Sequence, residues 1–211
     1  MKTIVNYQNQ ERLNTISHGI GAILASIGFC LLLLKNDHRS TYATSSILIY
    51  SITLIAMFFV SAMYHLVTKD RLKHSLRILD HINIYFLIAG TYTPLSLITL
   101  ENTNGWMIFY TVWGIAIIGT LFKLFYTGKF EVISLLLYIA MGWLIVFDFN
   151  TLVERTSING IRLLFLGGAF YTIGIIFYAW KRLPYNHFIW HLFVLGGAIS
   201  HWFFIYDDVI Q

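Results

Sequence analysis

Charged residues in this chain are spaced so that long apolar runs lie between them. Arg12 and Lys35 bracket 22 uncharged residues, Arg39 and Lys69 bracket 29, Asp80 and Glu101 bracket 20, and Glu101 and Lys123 bracket 21. Glu131 and Glu154 bracket 22 residues interrupted only by Asp148, Arg162 and Lys181 bracket 18, and Arg182 and Asp207 bracket 24. A helix needs about 20 predominantly apolar residues to cross the hydrocarbon core of a bilayer. The pattern therefore predicts seven spans, at approximately 14–34, 42–67, 80–100, 105–124, 130–149, 162–180 and 186–206. No run alternates with the period of two that a transmembrane barrel requires. The expected architecture is an all-α, seven-transmembrane helix bundle forming one domain over residues 1–211.

Composition strengthens this reading. The chain is 57% hydrophobic and 11% charged, whereas soluble domains average about 45–50% and about 25%. The single cysteine, Cys30, excludes an intrachain disulfide and cysteine-rich zinc chemistry. The net charge of +4 gives no reason to expect nucleic acid as a partner, because the basic residues sit in short loops where topology accounts for them. The polar start, Met1 to Leu13, leads to no expectation of a signal peptide. Placing the N-terminus in the cytoplasm puts Lys2, Arg12, Lys69, Arg71, Lys73, Arg77, Lys123, Lys129, Lys181 and Arg182 inside. It puts Lys35, Arg39, Arg155 and Arg162 outside. The positive-inside rule then predicts a cytoplasmic N-terminus and an outside C-terminus, in a multi-pass protein of the cell membrane.

Ionisable groups within spans are costly and mark functional sites. Under this topology His65 ends the second span, Asp80 opens the third, and His187 and His191 open the seventh, all at the cytoplasmic depth. His187 and His191 are four residues apart and share a helix face, as do Ser61 and His65. Three histidines with an open fourth position suit catalytic zinc. Asp80 is then a candidate to hold and deprotonate water at the metal, and Ser61 to contact that water or an oxyanion. The bland alternative is that the HxxxH pair is met by backbone or interfacial water. Glu11, Asn14 and His18 share a face of the first helix. They are either a polar first-turn cap or a layer that supports the metal ligands. His38 and His74 are expected in solvated loops, and His81 at the interface, pointing away from Asp80. His201 lies too deep to share the ion and is expected to make a buried polar contact. Asp148 is read as a snorkelling group or a structural hydrogen bond, and Asp207 and Asp208 as a solvated terminus. The stretch Gly90-Thr91-Tyr92-Thr93-Pro94 is expected to kink or open its helix. Gly19, Gly21, Gly167, Gly168, Gly196 and Gly197 are expected to serve close helix packing.

These motifs carry a resemblance. Glu11-x-x-Asn14-x-x-x-His18, Ser61-x-x-x-His65, Asp80 followed by Gly90-Thr91-Tyr92-Thr93-Pro94, and His187-x-x-x-His191 with His201 beyond are similar to those of the hemolysin III family. That family is the bacterial branch of the progestin and adipoQ receptor family, and the likeness covers nearly the whole chain. The resemblance implies a seven-helix bundle inverted relative to G-protein-coupled receptors. In the adiponectin receptors, zinc is held by three histidines that match His65, His187 and His191. An aspartate matching Asp80 contacts the metal through water, and a serine matching Ser61 lies beside it. Those receptors are linked to ceramide hydrolysis, and the alkaline ceramidases have a similar site. Bacterial members carry the hemolysin name from lysis of red cells, and some are linked to membrane-lipid or membrane-energy homeostasis. The long N-terminal region of the eukaryotic receptors has no counterpart in this sequence, so hormone binding is not expected.

Two functions follow as expectations. One is a zinc-dependent intramembrane hydrolase of lipid amide or ester bonds, with membrane lipids as partners and substrate arriving sideways from the bilayer. The other is a non-enzymatic protein, whether channel-forming, cytolytic or serving membrane homeostasis, in which zinc is structural. A wide pore through one copy fits poorly, because no span carries a continuous polar stripe.

Overall fold

The computed structural model describes residues 2–38 and 40–210, with side chains described from residue 7 onward. Arg39 and the side chain of Lys2, both used in the charge count above, lie outside the described residues. Seven helical spans are long and apolar enough to cross a membrane, and no strand occurs among the described residues. The helices are α1 (Lys2–Lys35), α2 (Ala43–Leu66), α3 (Asp70–Pro94), α4 (Gly105–Tyr126), α5 (Glu131–Gly142), α6 (Phe149–Arg155), α7 (Ile158–Ala179) and α8 (Asn186–Phe204). In lipid the backbone must satisfy its own polar groups, which is why each apolar run closes into a helix.

Several boundaries differ from the sequence expectation. Helix α3 begins at Asp70 rather than at Asp80, so Asp80 sits inside the helix, about 15 Å along the axis from its start. Asp70 to Arg77 is rich in charge, so apolarity alone places the start of the span at Asp80. Those charges extend the helix beyond the apolar zone without ending it. The fifth span is not one continuous α-helix. It runs through α5, a 3-10 turn at Leu144–Asp148, and α6. Tyr92 from α3 reaches this break: its hydroxyl donates to the Gly142 carbonyl (2.8 Å) and accepts from the Ile145 amide (3.0 Å). A buried partner thus meets backbone groups that the interrupted helix leaves open.

The Gly90–Pro94 stretch behaves as expected. Beyond Pro94 the chain widens into a π-helical turn at Leu95–Thr99. Thr93 Oγ1 donates to the Ala89 carbonyl (2.8 Å) and accepts from the Trp113 indole (3.1 Å), which ties the loosened segment to α4. At Gly90 a Cβ would come within 2.9 Å of Thr53 Cβ, so α2 and α3 approach here as only glycine permits. Gly21, Gly167, Gly196 and Gly197 also lie against neighbouring rings. Gly19 and Gly168 have open space instead, and do not serve close packing.

Helices α1, α2, α3 and α4 pack in sequence order, α7 packs on α8, and α8 returns to α1. Contact between α5 and α7 is sparse. The core includes Tyr50, Leu54, Phe58, Tyr85 and Val112. Leu, Ile and Phe side chains such as Leu24, Phe59, Ile118, Leu136 and Ile176 cover the outside. Such a surface suits lipid and not water.

Three acids at the bundle end away from His65 are engaged. Asp148 accepts from Thr103 Oγ1 (2.6 Å) and the Asn104 amide (3.0 Å), so it is a structural hydrogen-bond acceptor at the start of α4 and does not snorkel. Asp208 is not simply solvated: it accepts from the Ser157 amide (2.8 Å) where α7 begins. Asp207 is half-exposed and pairs with Lys35 at 3.5 Å.

Candidate metal centre

The ends of α1, α2, α3 and α8 meet on one side of the bundle, and the polar residues singled out above collect there. His65 lies in the last turn of α2, while His187 and His191 lie in the first two turns of α8. One nitrogen from each of the three lies within 4.8 Å of the others. Ring centroids are 5.1 Å apart for His65 and His187, 5.0 Å for His65 and His191, and 4.7 Å for His187 and His191. His65 and His191 are buried.

Contacts behind the rings set which nitrogen faces inward. Glu11 Oε1 lies 3.0 Å from His65 Nδ1. A carboxylate only accepts, so Nδ1 carries the proton and Nε2 keeps its lone pair. His65 Nε2 is buried with no protein partner. A buried imidazole nitrogen left open beside two other imidazoles is what a metal ligand requires before the ion arrives. Glu11 is held in turn by Lys73, whose Nζ is 2.6 Å from Oε2. Asn14 Nδ2 lies 3.4 Å from His65 Nδ1, and Ser17 Oγ lies 3.5 Å from His191 Nδ1. His18 stacks on His191 with centroids 3.6 Å apart and planes 9° from parallel, and packs edge-on against Phe58. Glu11, Asn14 and His18 are therefore more than a polar cap: each touches a member of the histidine cluster.

Nitrogen ligands at about 2.0–2.1 Å around a tetrahedral ion stand roughly 3.3 Å apart, so closing the cluster on zinc takes ring shifts of about 1 Å. The donor set is all imidazole, which suits zinc as it suits copper, iron and nickel.

Asp80 and Ser61 are neighbours across α3 and α2, with the Ser61 hydroxyl facing the Asp80 carboxylate. Both line the same cavity as His187 and His191. That cavity offers about 180 Å³ to water-sized molecules and runs from the polar end down to Leu152 and Phe204. Much of its wall is apolar, including Leu87, Ile88, Ile139 and Val194.

The remaining histidines divide as follows. His38 is exposed in a loop, as expected, whereas His74 is exposed on α3 and not in a loop. His201 also lines the cavity, and its Nε2 meets the Leu164 carbonyl at 3.1 Å. His81 departs from expectation. It lines the cavity together with Asp80, and its Nδ1 is buried. Because α3 starts early, His81 lies well inside the helix, and its ring turns into the bundle.

Two of these supporting residues, Lys73 and Ser17, lie outside the site that the sequence predicts. Lys73, Arg77 and Asp80 are spaced by four and three, which places them on one helix face. That spacing was a signal for Lys73. Nothing in the sequence marked Ser17.

The sequence profile described as "Haemolysin-III related" matches residues 6–202. "Hemolysin-3" of Bacillus cereus is 39% identical over 96% of this chain and 93% of that protein. "Hemolysin-3 homolog" of Bacillus subtilis (strain 168) is 38% identical over 92% of each. The human "Monocyte to macrophage differentiation factor" is 32% identical over 93% of this chain and 83% of that protein. No solved structure matches. With a family match spanning almost the whole chain and seven spans in the bundle, the chain belongs to the haemolysin-III related family of multi-pass membrane proteins.

Proposed function

We propose that this protein is a zinc-dependent intramembrane hydrolase that cleaves an amide or ester bond in a membrane lipid. The observation that carries the reading is the His65, His187 and His191 cluster at the polar end of a largely apolar cavity, with Asp80 and Ser61 on the same wall. His65, His187 and His191 are the metal ligands. Bound zinc would supply a Lewis acid that polarises a carbonyl and makes water acidic near neutral pH.

The protein's own groups do the rest. Glu11 holds the Nδ1 proton of His65 and so keeps Nε2 aimed at the cluster. Asp80 accepts the proton of the attacking water at its carboxylate oxygen and returns it to the leaving group. Ser61 orients the Asp80 carboxylate, or donates to the oxyanion that develops on the substrate. The apolar cavity wall receives an acyl chain and excludes bulk water from the cleaved bond. Sparse contact between α5 and α7 suits access from the side, through lipid. The bundle end that holds the cluster also carries Arg12, Lys73, Arg77, Lys123 and Lys181, which supports a cytoplasmic site and a cytoplasmic N-terminus.

The test is hydrolysis by purified, zinc-loaded protein of ceramide and of ester lipids in mixed micelles, beside a His191→Ala variant. Turnover by the parent that the variant lacks is expected. Absence of turnover across amide and ester lipids, in protein shown to hold zinc, would sink the enzyme.

The relatives' printed name, "Hemolysin-3", raises a second reading, in which the protein disrupts or maintains membranes without catalysis and zinc is structural. Lysis that persists in the His191→Ala variant would favour it.

A further inference from the structure

The cavity has a second polar corner that the proposed chemistry does not use. Lys123, near the end of α4, lines the cavity and is only 2% exposed. Among the described residues its ammonium takes part in no ion pair or hydrogen bond. A buried ammonium without a partner is costly, and proteins keep such groups where something meets them. Glu131 is the acid that acts on it by charge. The Glu131 oxygens are otherwise engaged: Oε2 accepts from the Tyr178 hydroxyl, and Oε1 faces Arg77 Nη2 at 3.8 Å.

His81 stands at the same corner. Its Nδ1 is buried and unpartnered, while its backbone carbonyl is fixed by the Tyr138 hydroxyl at 3.0 Å. The charges acting on His81 are Lys123, Arg77 and Lys181 against the single acid Glu131. Asp80 is the other acid on this wall, so three cations face two acids, and nitrogen-bearing side chains from α3 and α4 turn into one space. A cation would be repelled there, and a neutral group would leave the ammonium unmet.

We propose that Lys123 and His81 form a subsite for the acidic head of an anionic lipid, a phosphate or carboxylate whose hydrocarbon tail lies along the apolar wall. The occupant is a lipid and not a free ion because the subsite opens onto an apolar cavity within a membrane-spanning bundle. This deepens the hydrolase reading by naming its substrate class as acidic lipids. It rests on that reading for the fate of the bound lipid, and not for the binding itself.

Binding to purified protein in neutral detergent tests the subsite, with three probes: a monoacylglycerol phosphate, the matching uncharged monoacylglycerol, and inorganic phosphate. The parent is expected to bind the phosphate-bearing lipid about tenfold or more tighter than the uncharged one, the scale of one charge-assisted hydrogen bond. Lys123→Met, which fills the same space without charge, should remove that preference and keep the parent's zinc content. His81→Gln is the second variant, and should reduce the preference if Lys123→Met fails to fold. Equal affinity of the parent for both lipids would overturn the proposal. So would inorganic phosphate binding as tightly as the charged lipid, which would make this a free-ion site. A preference that survives Lys123→Met but is lost in His187→Ala/His191→Ala would place the acid group at the histidines and also overturn it. A preference kept by the metal-free double variant would sustain the subsite even if no hydrolysis is ever found.

Discussion

Glu11 Oε1 lies 3.0 Å from His65 Nδ1, so a carboxylate on the first helix decides which nitrogen of a histidine on the second faces the cluster. The same carboxylate is paired with Lys73 of the third helix through its other oxygen. One side chain thus joins three helices behind a candidate ligand. A ligand imidazole whose far nitrogen is fixed by a carboxylate is both better oriented and more basic. Glu11→Gln is therefore expected to weaken zinc binding about 10–100-fold, the usual cost of losing such a partner. Competition against a chelator of known affinity measures this. Unchanged affinity would show that Glu11 only links helices.

Asp80→Asn separates binding from catalysis. The amide cannot accept a proton from water, but keeps the shape and a hydrogen-bond acceptor toward Ser61. Zinc content should stay at the parent level, while hydrolysis falls about 10²–10⁴-fold, the range of a lost general base. Parental turnover in this variant would remove Asp80 from the mechanism.

Asp148 gives a stability prediction at the opposite end of the bundle. It accepts from Thr103 Oγ1 and the Asn104 amide. Replacement by Ala leaves both donors near the start of α4 without their acceptor, at a cost of about 1–3 kcal/mol. A lowered Tm in detergent, with parental zinc content, is expected. An unchanged Tm would mean that water replaces the carboxylate freely.

Most of the fold was legible because lipid imposes a simple rule on sequence. The runs bracketed by Arg12 and Lys35, or by Glu101 and Lys123, could become little else than spanning helices. Where the structure departs from that rule, local charge or a distant partner decides the outcome. Asp70 to Arg77 are charged and helical at once, so apolarity alone could not find the start of α3. The break after Gly142 depends on the hydroxyl of Tyr92, some 50 residues away in sequence. The grouping of His65, His187 and His191 could be anticipated from depth and i, i+4 spacing. The pairing of Glu11 with His65 could be anticipated only as far as a shared depth, because spacing along α1 does not say which helix α1 faces. Lys123 was counted as a loop charge, and its burial follows from how α4 packs on α3, which no local pattern encodes.

The most direct test of the central claim is the zinc content of purified protein, prepared without chelator and with zinc supplied, for the parent and for His187→Ala/His191→Ala. Elemental mass spectrometry should find about one zinc per chain in the parent and almost none in the double variant, as expected for a site that needs all three imidazoles. Equal zinc in both, or none in either, would contradict a metal centre built from His65, His187 and His191.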